Sequence, residues 1–300
     1  MRALLTHLIL SSTQGLATQA MKNPWRAPLN LLKFCKLLMF PAKQLHIQNL
    51  NIIARYIAPK SPTKPLVTQH YSRYLSKALS VREKMSCVIT HFTFEDECRS
   101  RYYQDAVYGG SGIVLWEREV NNKSYKITLK ASDLTFEGEL SVLLTCDGCL
   151  LSLMSFSYID KNIFCMRSGL SMLVTRNQTY NKGALSQSFY DEFKQNFPQY
   201  FCMAAIFGIA RANNFRDIFA VKARAQVCHC ENLGFENSYD AMWKSFNGAE
   251  HENVYLLNSV MDLKPISSVK RCHRKRAAQR RENWLEIIES SVLALHSTRK

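Results

Sequence analysis

The sequence predicts a mixed α+β fold: a central, mostly antiparallel sheet with a buried helix, a helical N-terminal region and a C-terminal helix. Three observations carry that expectation. From about Gly112 the apolar period changes from helical to two-residue alternation. Cys146-Asp147-Gly148-Cys149 then divides two apolar runs, and Asp-Gly in that setting is a strong hairpin signal. Finally, Phe197-Pro198 opens an apolar helix to about Ala212, and a β-like run, Arg216–Val221, follows it. The order of a meander, a strand with a glycine turn, a helix and a returning strand resembles that of the acetyltransferase fold.

Taken along the chain, residues 24–58 read as two helices divided by Pro41. Pro28 suits a first turn, and Leu29, Leu32, Lys33, Lys36 and Phe40 give a mixed apolar and basic surface. The second helix runs from about Gln44 to Ala58. Pro59-Lys60-Ser61-Pro62-Thr63-Lys64-Pro65 is the linker, because its prolines fix φ and remove donors. Ser80 with Glu83 forms a capping-box start for a helix through Ile89. Ser124–Lys130 alternates with Tyr125, Ile127 and Leu129 on one face. Leu140–Thr145 and Leu150–Tyr158 are the hairpin arms, Asn162–Val174 offers one or two more strands, and Asn177–Gly183 reads as a loop. In the last helix Trp284, Leu285, Ile288, Val292 and Leu295 form one apolar stripe. The segments are 1–65 (basic, helical), 66–110 (helical connection), 111–262 (sheet domain) and 263–300 (basic helix). No internal repeat is present.

Composition supports a buried core. The chain has 300 residues, of which 47% are hydrophobic, so wholesale disorder and fibrous architecture are excluded. The formal charge is +15 and unevenly spread. Residues 1–90 carry thirteen Lys/Arg against the single acid Glu83, residues 91–263 carry sixteen against twenty, and residues 264–300 carry ten against three. A near-neutral body with basic ends points to an anionic partner: an acidic membrane surface, an acidic protein or nucleic acid. The N-terminal stretch Met1–Leu10 resembles a signal peptide only faintly, and no run reaches the ~20 apolar residues of a spanning helix. Ten cysteines, with Cys35, Cys87, Cys165 and Cys202 inside apolar runs, suit a reducing compartment rather than a disulfide framework. The expected location is therefore cytoplasmic, with peripheral attachment at the inner membrane.

Few motifs carry chemistry. Cys146 and Cys149 have half-zinc spacing, and Cys228 with Cys230 could add two thiolates, but C-x-C is not a usual zinc spacing and no metal is expected. Lys270, Arg271, Arg274, Lys275, Arg276, Arg280 and Arg281 form a basic rod free of acids and fit to meet phosphates or lipid headgroups. No aromatic interleaves those bases, which weakens a nucleic-acid reading. His91 and His229 read as structural histidines. Glu137 and Glu139 flank Gly138 and read as solvent-exposed acids at a strand edge. Arg167-Ser168-Gly169 could bring N–H groups and a cation to a phosphate, with Gln226 completing a candidate pocket. No catalytic residue is assigned.

Seven pieces in order resemble the VirK/YbjX family of enterobacterial proteins. They are Tyr74-Leu75 through Leu79-Ser80; Arg82 to His91-Phe92; Glu137-Gly138-Glu139-Leu140; Ser155-Phe156-Ser157-Tyr158; Phe197-Pro198; Tyr239-Asp240-x-x-Trp243 with Gly248; and Lys270-Arg271 to Arg280-Arg281. The likeness covers roughly residues 70–290. It implies a virulence-associated protein of a Gram-negative bacterium, tied to display of a surface virulence protein and to antimicrobial-peptide resistance. The family pattern implies a glycine-rich turn where this chain has Cys165–Gly169, a His-Gly pair at Lys194-Gln195, Ser-Asn at Lys222-Ala223 and a histidine at Gln226. Those departures favour a non-catalytic accessory protein without a cofactor. The alternatives are an acyltransferase-like enzyme of envelope modification using acyl-CoA, and a nucleic-acid-binding regulator.

Overall fold

In a computed structural model, the alternation beginning near Gly112 becomes one eight-stranded sheet of order β1-β2-β3-β4-β5-β6-β8-β7. The structure describes residues 41–59, 73–133, 135–164, 166–229, 237–261 and 265–300. The expected helix before Pro41, the linker beyond Pro59, and Cys35, Cys165 and Cys230 lie outside the described residues. The strands are β1 Ile113–Val120, β2 Lys123–Ala131, β3 Leu140–Cys146, β4 Cys149–Asp160, β5 Leu170–Thr179, β6 Asp217–Val221, β7 Ala249–Glu250 and β8 Val254–Asn258. The helices are α1 Pro41–Asn49, α2 Val81–Cys98, α3 Arg101–Gly109, α4 Ala184–Glu192, α5 Pro198–Ala212, α6 Met242–Ser245 and α7 Arg274–His296.

All strand pairs are antiparallel except β5 with β6. The first two hairpins turn on residues with positive φ: Asn121 and Asn122, then Asp147 and Gly148. Such turns match the right-handed twist of the strands they join, which is why Asp-Gly was legible as a hairpin. β5 and β6 are joined through α4 and α5 and pair over Met172–Val174 with Ile218–Ala220 alone. Beyond Val174 the pairing ends, because β6 stops at Val221 while β5 continues to Thr179 beside β4.

The capping box of Ser80 and Glu83 is formed as expected, but α2 runs on to Cys98. Its buried face includes His91 and Glu95 and leads to Arg99, polar residues that interrupt the apolar pattern a sequence reading follows. Nδ1 of His91 accepts the Tyr158 N–H at 3.1 Å, since β4 extends past the end of β3 and frees that donor. Glu95 accepts the Tyr103 and Tyr108 hydroxyls, and Arg99 donates to Tyr158 and Asn213. Burial, with no compensating charge, holds His91 down at about 3. Burial likewise pushes Glu95 up to about 7, against the pull of Arg99 and the two hydroxyls.

α5 is buried over most of its surface and crosses α7 closely at Gly208, where a Cβ would come within 2.5 Å of Ser291 Cβ. The buried positions of α7 are Asn283, Ile287, Ile288, Ser291 and Leu295; Leu285, expected in the stripe, is 44% exposed. The expected Asn177–Gly183 loop is shorter than read, because β5 holds its ladder with β4 through Thr179. The final residues return to the α2–α3 corner, where Ser100 donates to the Thr298 carbonyl and the Lys300 N–H to that of Cys98. One hydrophobic core runs from Ile47 to Leu295, so α7 shares the core of the sheet domain. No helix among the described residues is long and apolar enough to cross a membrane.

Candidate functional site

Where the β5–β6 pairing ends, the chain gathers a polar cluster from four distant segments. Glu137 closes a single helical turn after β2, Arg176 and Asn177 end β5, Gln226 and Cys228 follow β6, and Tyr239 sits in a helical turn before α6. Glu137 and Glu139 are not solvent-exposed as expected; they are 4% and 7% exposed. Gly138 is the reason. Its φ of +137° and its approach to β4, where a Cβ would lie 2.8 Å from the Phe156 nitrogen, press both acids inward. Arg176 Nε lies 3.1 Å from one Glu137 oxygen and Gln226 Nε2 donates to the other at 2.7 Å. The Thr175 hydroxyl donates to the Glu137 carbonyl. Both oxygens of this buried carboxylate therefore have a partner within the fold.

Tyr239 meets β5 beyond its last residue paired with β6, its hydroxyl accepting the Asn177 N–H at 3.3 Å. Burial, and then the charge of Glu137, pushes the phenol up. The Cys228 thiol is also raised, first by burial and then by Glu137. The rest of the Tyr-Asp-x-x-Trp motif secures the exit of β6. Asp240 accepts the Ala223 N–H at 2.9 Å, and Trp243 Nε1 donates to the Val221 carbonyl at 3.0 Å. Gly248 is pressed against Trp243 and Leu257.

The expected pocket of Arg167, Gly169 and Gln226 is not brought together. Gly169 precedes β5, whereas Gln226 meets Glu137 alongside Thr175, six residues further along an extended strand, or about 20 Å. The place of an external anion near Gly169 is taken by the chain's own Asp160, which accepts the Gly169 N–H at 3.1 Å and the Ser168 hydroxyl at 2.9 Å. Burial works against that carboxylate, but the bonds from Asn162, Gly169 and Ser168 hold it below its usual range. Arg167 itself is exposed. The half-zinc pieces are also apart: Cys146 lies beside Tyr125, whereas Cys228 lies beside Glu137. Among the described residues no three His, Cys, Asp or Glu are grouped to hold a metal ion.

The basic stretch is a turn over 270–273 followed by the first turns of α7. Three arginines grip the chain through neutral carbonyls. Arg274 donates to those of Val269 and Ser267, Arg280 to those of Lys194 and Gln195, and Arg276 to the Gln195 side chain. Lys270, Arg271 and Lys275 point into solvent and Arg281 is half-buried. None of the ion pairs among the described residues uses a cation from 270–281. Hydrogen bonds to carbonyls hold the guanidiniums without cancelling their charge, so the region stays cationic. The Arg280 guanidinium is pushed below its ordinary value by burial and by the neighbouring Arg276, a mark of like charges crowded together.

Sequence reasoning singled out Glu137, Gln226 and Tyr239 but missed Arg176 and Asn177. The available signal was an ionisable residue two positions after the apolar run Met172–Val174, which must find a partner if the strand is central.

No curated protein and no solved structure matches the chain. A family model described as "Protein of unknown function (DUF535)" matches residues 31–294, which takes in the sheet, the polar cluster and the basic start of α7. With nearly the whole chain inside that match, the protein belongs to the DUF535 family, the grouping that holds the VirK/YbjX proteins.

Proposed function

We propose that this protein is a non-catalytic accessory of the VirK kind, supporting expression or surface display of a virulence protein and resistance to antimicrobial peptides. Contact between the basic end of α7 and an anionic partner, foremost an acidic membrane surface, is its mode of action. One observation carries the reading: among the described residues, the seven cations over 270–281 share no ion pair with the chain's carboxylates. The basic sequence before residue 41 adds charge of the same sign. Cations near an anionic bilayer contribute about 1 kcal/mol each, enough for reversible attachment without a spanning helix. Peripheral attachment at the cytoplasmic face of the inner membrane is the location that belongs to this reading.

Sedimentation with phosphatidylglycerol-containing and pure phosphatidylcholine vesicles tests it. Binding is expected to the anionic vesicles alone and to weaken as the Debye length falls from about 30 Å at 0.01 M salt to about 3 Å at 1 M. Equal binding to both vesicle types would remove the proposal, and an RNA or DNA duplex in place of vesicles checks the nucleic-acid alternative.

The parallel β5–β6 pairing that ends at Val174 supports an acyltransferase-like second reading with acyl-CoA as ligand. It ranks second because Tyr239 takes the Asn177 N–H beyond that pairing and Glu137 takes Arg176 and Gln226. A thermal-shift screen with acyl-CoA separates the two: stabilisation at saturating ligand is expected only of the enzyme.

A further inference from the structure

Phe197, the residue before α5, is 50% exposed although it stands among aromatics. Its ring lies 5.7 Å from Tyr190 of α4 and 6.3 Å from Tyr200 of α5, and Tyr200 stacks on Trp284 of α7 at 5.6 Å. Two successive helices and α7, distant from them in sequence, therefore build one aromatic shelf whose protruding member is Phe197. Immediately before it, the Lys194-Gln195 turn is the segment that Arg276 and Arg280 grip. Lys194, Arg276 and Arg280 thus border the shelf, Arg281 follows them along α7, and among the described residues none of the four has a carboxylate within 4.0 Å. The neighbouring acids in sequence are Asp191, which accepts from Gln187, Glu192, which accepts from Ser188 and pairs with Lys123, and Glu282, which is exposed.

We infer that this shelf is a membrane-docking surface, with Phe197 entering the interface of an anionic bilayer while Lys194, Arg276, Arg280 and Arg281 meet its headgroups. The inference rests on the proposed contact with an anionic partner and names that partner as lipid. A free phosphate would use the cations and leave Phe197 idle. Single-stranded nucleic acid stacks successive bases on successive rings. Here one ring protrudes and Tyr190, Tyr200 and Trp284 are half-buried around it, which is the form of a wedge. At a bilayer boundary an aromatic ring and its cationic border are both used.

The test compares the full chain with Phe197→Ser, Phe197→Trp and a Lys194→Gln/Arg281→Gln variant on phosphatidylglycerol-containing vesicles. Serine suits a position preceding a helix, so Phe197→Ser keeps α5 intact, which circular dichroism checks. Phe197→Ser is expected to weaken partitioning roughly five- to tenfold with an unchanged salt slope, by exposing no ring for burial. Phe197→Trp should retain binding, and the charge variant should flatten the salt slope. Wild-type affinity in Phe197→Ser, with salt-sensitive binding intact, overturns the shelf and leaves the electrostatic reading standing. Failure of the wild-type chain to bind anionic vesicles at low salt overturns both. Loss of RNA binding in Phe197→Ser, with vesicle binding unaffected, assigns the shelf to nucleic acid and overturns the lipid proposal.

Discussion

Arg280 donates from Nη2 to the carbonyl of Gln195 at 2.7 Å, and Gln195 itself holds a φ of +58°. With Nε on the Lys194 carbonyl, one side chain ties the basic start of α7 to a turn that two side-chain-bearing residues enter against their preference. Arg280→Ala should lower unfolding free energy by about 1–2 kcal/mol, seen as an earlier urea midpoint at constant slope. Gln195→Gly should act oppositely by about 1 kcal/mol, because glycine enters this backbone region freely. A stabilised Arg280→Ala would show that the contact does not hold the turn.

Gly138 and Gly148 both have positive φ, but only Gly138 is crowded: a Cβ there lies 2.8 Å from the Phe156 nitrogen, while none is within 4 Å at Gly148. Gly138→Ala should therefore cost about 3 kcal/mol and Gly148→Ala about 1 kcal/mol, the difference measuring the close approach that buries Glu137 and Glu139. Equal losses in denaturant melts would place the whole effect in backbone conformation.

Much of the fold was legible because its signals are local. Asp147-Gly148 demands its turn, Ser80 and Glu83 cap a helix within four residues, and Pro198 marks a first helical turn to the residue. What escaped depends on distant partners. α4 is short and held by Phe189 in the aromatic core, and the parallel β5–β6 register has no neighbouring turn to set it. His91 and Glu95 break the α2 stripe because their partners, Tyr158 and the α3 tyrosines, come from other elements. The cluster showed the same division. Glu137, Gln226 and Tyr239 stood out as polar residues in a family pattern, but nothing local paired Arg176 with Glu137 or set Phe197 beside Arg280.

The buried groups of α2 oppose one another in pH. His91 falls to about 3, so from pH 3 to 6.5 the unfolded chain holds a proton that the folded chain lacks, and stability rises with pH. Glu95 rises to about 7, so from pH 4.5 to 7 the folded chain holds the extra proton and stability falls with pH. Between pH 4.5 and 6.5 the two slopes offset. Glu95→Gln removes one of them, and its stability relative to wild type should improve as pH rises from 4.5 to 7, at up to about 1.4 kcal/mol per pH unit. Parallel curves for the two proteins would mean that Glu95 titrates normally in the fold.

Breaking the Glu137–Arg176 pair leaves a partly buried guanidinium, 13% exposed, without its counter-charge. Glu137→Gln should lose about 3 kcal/mol, while Gln226→Ala, which spares the ion pair, should lose about 1 kcal/mol. Calorimetric melting of the two variants gives the comparison, and an Arg176→Met/Glu137→Gln double variant should recover part of the loss.

The most direct measurement is the vesicle affinity of a variant with Lys270, Arg271, Lys275 and Arg281 all replaced by Gln. These cations make no ion pair among the described residues, so the variant should melt like wild type. At low salt its binding to phosphatidylglycerol-containing vesicles should fall by about a hundredfold or more, at about 1 kcal/mol for each lost cation. A folded variant that binds these vesicles as tightly as wild type, with the same salt slope, would contradict an electrostatic role for the basic end of α7.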